Sequence, residues 1–209
     1  MRRRSTSAAS PLLVVGLRNP GDQYRGTRHN VGAEVVVAAA VGTEFRRAPR
    51  KIMADVSEFS LGGVPAVAAL PLTFMNESGG PVVALLKWYK TDPTGLILVH
   101  DDIDLPFGRL RFHHGRGSGG HNGVASVMRA IGSRDVWRLK IGVGRPPGRQ
   151  DPADFVLRRF TERERDDVDL MVSAGAAVLH RFGEAGGEEA RQAAGDASAR
   201  LGIAKGDNP

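Results

Sequence analysis

The chain has no cysteine among its 209 residues, which removes disulfides, thiol nucleophiles and thiolate metal sites together and leaves the redox compartment undetermined. It lacks any apolar run long enough to span a bilayer. Met1-Arg-Arg-Arg4 leads into Ser-Thr-Ser-Ala-Ala without the apolar stretch of a secretory signal, so a cytoplasmic protein with no membrane partner is expected. No internal repeat is present. Neither Ser78 nor Ser118 stands in Gly-x-Ser-x-Gly, which argues against a serine hydrolase, and no His-Glu-x-x-His spacing occurs. His113 and His114 are adjacent on an expected strand and must face opposite ways, so we expect no metal. Gly115-x-Gly117-x-x-Gly120 matches a dinucleotide fingerprint, but its acid, Asp135, precedes the Trp137 strand instead of closing one. Gly16-x-x-x-x-Gly21 continues into Asp22-Gln23, not Lys-Ser/Thr, so it is no Walker loop.

What the chain does have is positive charge, placed unevenly. The net charge is +6; residues 1–160 hold 23 Lys/Arg against 13 Asp/Glu, and residues 161–209 hold 6 against 10. The basic body invites a polyanionic partner.

The length suits one domain with tails: a disordered basic tail over 1–10, a folded domain over 11–183 and a loose C-terminal tail over 184–209, where Ala, Gly and charged residues show no firm apolar period. Leu12–Leu17 reads as a buried strand stopped by Asn-Pro-Gly, and 33–41 as a helix. Ile52–Phe59 and Val64–Leu70 flank Leu61-Gly62-Gly63 as a hairpin. Pro81–Lys90 is a helix with Ser78 as its cap, and Leu96–Val99 a buried strand with Arg109–Phe112 pairing beside it. Val124–Ile131 is a helix and Trp137–Val143 a strand. Thr161-Glu-Arg-Glu164 is a capping box opening a long helix that stops near Gly183. Alternating strands and helices with one hairpin predict an α/β fold: a single three-layer domain with a mixed, largely parallel central sheet flanked by helices. Ligands of such sheets bind beyond the carboxyl ends of the strands, where Asn19 and Asp101 fall.

Three polar loops would meet there. One runs from Asn19 through Tyr24 to His29-Asn30, a second is Pro71-Leu-Thr73-Phe74-Met75-Asn76-Glu-Ser78-Gly79, and the third joins His100-Asp101-Asp102 to Gly120-His121-Asn122-Gly123. A buried carboxylate beside an imidazole fixes its tautomer and raises its basicity, so His29 facing Asp101 would activate water, no Ser or Cys nucleophile standing near. Each lone asparagine commonly just stabilises a turn. Together Asn19, Asn76 and Asn122 offer neutral donors suited to a peptide-like acyl group and its oxyanion. Met75 and Phe74 read as core, although a flexible thioether also suits a permissive acyl pocket.

These segments resemble the bacterial peptidyl-tRNA hydrolase family from Leu12 to about Phe182. The matching pieces are Gly16-Leu-Arg-Asn19-Pro-Gly21 with Tyr24, Thr27-Arg-His29-Asn-x-Gly32 and the Pro71–Gly79 segment. Asp101-Asp-Ile-Asp-Leu-Pro-Phe-Gly108, Gly117-Ser-Gly-Gly-His121-Asn-Gly123, Arg138-Leu-Lys-Ile-Gly-Val-Gly-Arg-Pro146 and Phe155-Val-Leu-Arg-Arg-Phe160 complete the set. The resemblance implies a usually monomeric hydrolase that needs no cofactor or obligate protein partner. It would cleave the ester between peptide and tRNA in peptidyl-tRNA and recycle tRNA from aborted translation. It implies His29 as general base, Asp101 as its orienting partner, and Asn19, Asn76 and Asn122 holding the peptidyl backbone, ester and water. Tyr24, Met75 and His121 would line the crevice, with His113 and Lys140 at the positions that clamp a tRNA phosphate. Two departures stand out. The family generally has glycine where Arg18 stands, and Lys or Arg where His113 stands. With an ordinary imidazole value of about 6.5, His113 would give a weaker or pH-sensitive clamp, supplemented by Arg111 or Arg116. The alternative left open is a noncatalytic RNA-binding protein on the same scaffold, similar to a chloroplast splicing-factor branch. A transit-like start is its one support, and intact His29, Asp101 and Asn76 stand against it. A nucleotide-dependent oxidoreductase would rest on the glycine run alone.

Overall fold

Leu12–Gly16 forms the central strand β1 because its apolar side chains find a core on either face: Leu13 and Val15 enter one, Val14 the other. The computed structural model describes residues 10–146 and 148–202, so the expected N-terminal tail lies almost wholly outside the described residues. The other strands are β2 (Arg46–Arg47), β3 (Ala54–Leu61), β4 (Val64–Pro71), β5 (Leu96–Asp102), β6 (Leu110–His114) and β7 (Trp137–Gly142). They make one sheet in the order β2-β3-β4-β1-β5-β7-β6. The middle four are parallel, and antiparallel strands close both edges. This is the mixed α/β sheet expected, with the hairpin turning at Gly62-Gly63.

Helices α1 (Val31–Ala39), α5 (Glu162–Ala185) and α6 (Gly187–Leu201) cover one face, and α2 (Gly79–Tyr89) and α3 (Asn122–Ile131) the other. A short α4 (Pro152–Val156) starts at Asp151, whose side chain accepts from the Ala153 N–H. The Thr161–Glu164 capping box forms as read. Ser78 does not cap α2; its hydroxyl donates to the Met75 carbonyl and holds the preceding turn. Among the described residues, no helix is long and apolar enough to cross a membrane.

Two expectations are corrected. Strand β6 pairs with β7, not with β5, because β7 takes the slot between them. Apolar Leu139 and Ile141 suit that interior slot, whereas exposed Arg111 suits an edge. The C-terminal segment is not loose up to Leu201. Helix α6 lies against the β6 edge through Ala190, Ala194 and Ser198, spaced four apart, and the Ser198 hydroxyl accepts from the Leu110 N–H at 2.7 Å. An alanine stripe carries too little hydrophobic contrast to be read as a helix face. Helix α5 also runs past Gly183, which serves close approach instead of termination: a β-carbon there would sit 1.9 Å from the Leu61 carbonyl oxygen.

The contact that sets the site is made by Gly32. A β-carbon on it would stand 2.2 Å from the Val99 carbonyl oxygen, so α1 begins pressed onto the end of β5. Gly32→Ala must lift α1 off β5. We expect it to cost about 1–3 kcal/mol in urea unfolding, with Gly80→Ala, which meets no atom within 4 Å, as the unaffected control.

Candidate active site

His29 sits in the short 3-10 turn Arg28–Asn30 that delivers the chain into α1, and both of its neighbours are fixed. The buried Arg28 guanidinium bonds the Glu164 carboxylate at 2.7 and 2.8 Å and the Arg159 carbonyl at 2.8 Å, and stacks over Phe155 and Phe160. On the other side, Asn30 clamps Asn19: its Oδ1 accepts the Asn19 N–H at 2.8 Å, and its Nδ2 donates to the Asn19 carbonyl at 2.9 Å. His29 between them has little freedom of position.

Its Nδ1 lies 2.8 Å from Asp101 Oδ1, on a carboxylate only 2% exposed at the end of β5. The same oxygen takes a second imidazole, His121 Nε2, at 3.0 Å. His121 is the N-cap of α3, and its Nδ1 accepts from the Gly123 and Val124 N–H groups. That nitrogen therefore carries no proton, and Nε2 is the N–H donor toward Asp101. Burial alone would raise the Asp101 carboxyl, but the two imidazoles outweigh it and hold the group well below the usual carboxylate range. An ionised Asp101 in turn makes His29 Nδ1 a donor, so the lone pair of Nε2 is left for the crevice.

That crevice has a volume of about 590 Å³. His29, Asn19, Met75, Asn76, Asp101, His121 and Asn122 all line it, with Phe74, Ile103, Val156 and Leu157 forming an apolar side. Asn19 Oδ1 accepts the Met75 N–H at 2.8 Å, so its amide NH2 is the end free to donate into the crevice. A larger groove between α5 and α6 contains neither the paired carboxylate and imidazoles nor the asparagines.

Three expected site residues lie off the walls. Tyr24 reaches the crevice only through its edge-on contact with Phe74, the ring centroids 6.3 Å apart. Lys140 is bonded to Asp102 Oδ2 at 2.5 Å, and Asp102 is itself a wall residue. His113 lies beside Arg138 across the β6–β7 pair. Burial, with Arg138 and Lys140 close by, pushes its imidazole down to about 4, so the pH-sensitive clamp expected from an ordinary histidine is corrected: His113 is neutral through the physiological range. Sequence reasoning gave no role to Asn30, Arg28, Asp102 or the Asp151–Leu157 wall. Arg28 and Asn30 had a signal in their places on either side of His29, and Asp102 in its place beside Asp101.

His29 Nδ1, Asp101 Oδ1 and His121 Nε2 lie close enough together to gather a metal ion. Both nitrogens, however, face the carboxylate as N–H donors, and His121 Nδ1 is committed to a helix N-terminus. Holding an ion would require stripping protons that these bonds keep in place.

His100, buried against His121 with ring centroids 4.6 Å apart, donates from Nδ1 to the Asp101 carbonyl. Burial first and His121 second keep it well below the ordinary imidazole value. Unfolded histidines take protons near pH 6.5 that folded His100 and His113 refuse, so stability is present above that pH and declines as pH falls below it. The decline from a fully buried histidine approaches about 1.4 kcal/mol per pH unit. Urea unfolding should show a shallower decline in His113→Asn than in wild type between pH 6.5 and 4.5; equal slopes would contradict a neutral His113.

The chain has counterparts among known proteins. The model of the family described as peptidyl-tRNA hydrolase matches residues 13–200. The chain belongs to the peptidyl-tRNA hydrolase family. Its relatives include the peptidyl-tRNA hydrolase of Frankia casuarinae, 51% identical over 166 residues, covering 79% of this chain and 84% of that one. That of Mycobacterium avium is 49% identical over 185 residues, covering 88% and 96%. The crystal structure of the Acinetobacter baumannii peptidyl-tRNA hydrolase superposes with a TM-score of 0.78 at 30% identity, covering 93% of this chain and 98% of that one. The peptidyl-tRNA hydrolase match extends to residue 200 and so includes nearly all of helix α6.

Proposed function

We propose that this chain hydrolyses the ester joining a peptide to the terminal ribose of tRNA, acting in the cytoplasm on peptidyl-tRNA released by aborted translation. The observation that carries the reading is the Asp101–His29 bond at 2.8 Å, with His29 Nε2 turned to a crevice lined by amides. In this mechanism His29 Nε2 takes a proton from water as the water oxygen attacks the acyl carbon. The charge that develops on the carbonyl oxygen meets amide donors, the free NH2 of Asn19 among them, with Asn76 and Asn122 lining the same crevice. The imidazolium, stabilised by Asp101, then returns its proton to the departing ribose oxygen.

His121 serves as a fixed positioning group, since both of its nitrogens are engaged. Phe74, Met75, Ile103 and Leu157 offer the peptide side chain an apolar wall. Asn76 and Asn122 face the peptide backbone, and Tyr24 supports that wall through Phe74. Lys140 belongs to a cationic rim that takes the RNA. His113, neutral, contributes a hydrogen bond there but no charge. The noncatalytic RNA-binding reading leaves the assembled His29–Asp101–His121 arrangement without a use.

The test is hydrolysis of N-acetylated aminoacyl-tRNA beside the same aminoacyl-tRNA with a free amine. Cleavage of the blocked substrate, abolished in His29→Ala, is expected. Tight tRNA binding with no cleavage by wild type would favour the RNA-binding alternative.

A further inference from the structure

The glycine segment Gly115–Gly120 rests on a buried cation that ester hydrolysis does not use. Arg138, on β7, is completely buried. Its Nη1 donates to the Gly117 carbonyl at 2.8 Å and its Nη2 to the Gly115 carbonyl at 2.5 Å, and among the described residues it has no carboxylate partner. Burial draws its guanidinium down to about 10, against the pull of Asp102, so it stays a cation at neutral pH. A planar fork bonded to two carbonyls two residues apart fixes the backbone between them.

The residue between them is Arg116, exposed and held at φ 70°. Two other described non-glycine residues share a positive φ, and both end a helical turn: Met53 and Lys90. Arg116 ends none. A β-carbon is disfavoured in that conformation, and glycine would adopt it freely, so arginine stands here against the backbone's preference. Its side chain lies near enough to His113 and Arg138 to depress both.

The surroundings say what the charge is for. Arg111 pairs with Lys140 and His113 with Arg138 across β6 and β7, which puts all four on one face of the sheet. The glycine segment crosses this face, passing Lys140 at Gly119, and continues as the crevice wall from Ser118 to Asn122. Of the four, His113 is neutral, Arg138 is spent on carbonyls and Lys140 is paired with Asp102, while Arg111 is exposed on the edge strand and not on the segment that forms the crevice wall. Arg116 is an exposed cation on the segment that leads directly into the crevice wall.

We propose that Arg138 is a positioning residue that holds Arg116 in its left-handed conformation, so that the Arg116 guanidinium binds a backbone phosphate of the RNA at the edge of the crevice. This rests on the proposed function for the identity of the RNA; a terminal acylated ribose is joined through its own 5′ oxygen to a phosphodiester, which sets the scale of the reach.

The test is binding of deacylated tRNA as a function of salt. Arg116→Gly is expected to weaken binding roughly tenfold at low salt and to reduce the slope of log Kd against log salt by about 0.7–0.9, one phosphate contact. Its unfolding midpoint should be equal or higher, since glycine suits the backbone. Arg116→Lys should restore most of the slope. Arg138→Lys, which cannot fork two carbonyls, should reproduce the binding loss with Arg116 intact, and the double variant should bind no worse than either single one. On peptidyl-tRNA the loss should fall on KM. An unchanged slope in Arg116→Gly overturns the proposal, as do losses that add in the double variant. If Arg138→Lys does not fold, the two Arg116 slopes decide. Wild type that binds tRNA with this slope but cleaves nothing would sink the hydrolytic reading and leave this one standing.

Discussion

Replacing His29 by alanine is expected to lower kcat on peptidyl-tRNA by about 10²–10⁴ while leaving tRNA affinity intact. The reason lies in what Nε2 does: it bonds no described residue, and its lone pair meets water only as the O–H bond breaks. An interaction made in the transition state and not in the ground state appears in kcat, not in binding. Arg28 and Asn30 anchor the turn on either side, so the backbone should survive the change. Single-turnover hydrolysis beside equilibrium tRNA binding measures both quantities. A parallel loss of affinity would mean that His29 holds the RNA instead.

The second large effect belongs to Asp101, where two substitutions separate chemistry from stability. Asp101→Ala leaves the inward N–H groups of His29 and His121 without an acceptor in a buried site. An unsatisfied buried donor costs about 1–3 kcal/mol, and two of them, offset by the charge no longer buried, should lower unfolding stability by roughly 2–5 kcal/mol. Asp101→Asn keeps the shape and can keep one oxygen where both rings donate, but it supplies no charge to stabilise an imidazolium. It should retain more of the stability yet lose about 10²–10⁴ in kcat. If Asp101→Asn kept near-wild-type turnover, Asp101 would be a structural anchor and no more.

Much of this arrangement was legible in the chain because polar residues cluster where strands end. His29, Asp101, Asn19, Asn76 and Asn122 sit beside turn signals after apolar runs, and the parallel sheet gathers such loops at one edge. Gly32 became intelligible only with coordinates, since its role is the absence of a side chain against the Val99 carbonyl. Helix α6 was hidden for a different reason: Ala190 and Ala194 bury little area each, and their value depends on meeting the β6 edge, with Gly187 close against the Trp137 ring. The β5–β7–β6 order could not be read, because strand pairing between distant segments leaves no local mark. His113 shows the limit in electrostatics. An isolated histidine suggests a switch near neutrality, but Arg138 directly opposite it and Lys140 nearby, both distant in sequence, move it out of that range.

The central claim is that water, deprotonated by His29, attacks the acyl carbon of a peptide–ribose ester. Hydrolysis of N-acetylated aminoacyl-tRNA in oxygen-18 water tests it directly, by mass analysis of both products. The account predicts one heavy oxygen in the released carboxylate and none in the tRNA ribose, at a rate that collapses in His29→Ala. Heavy oxygen in the ribose, or an ester left uncut by wild type, would contradict it.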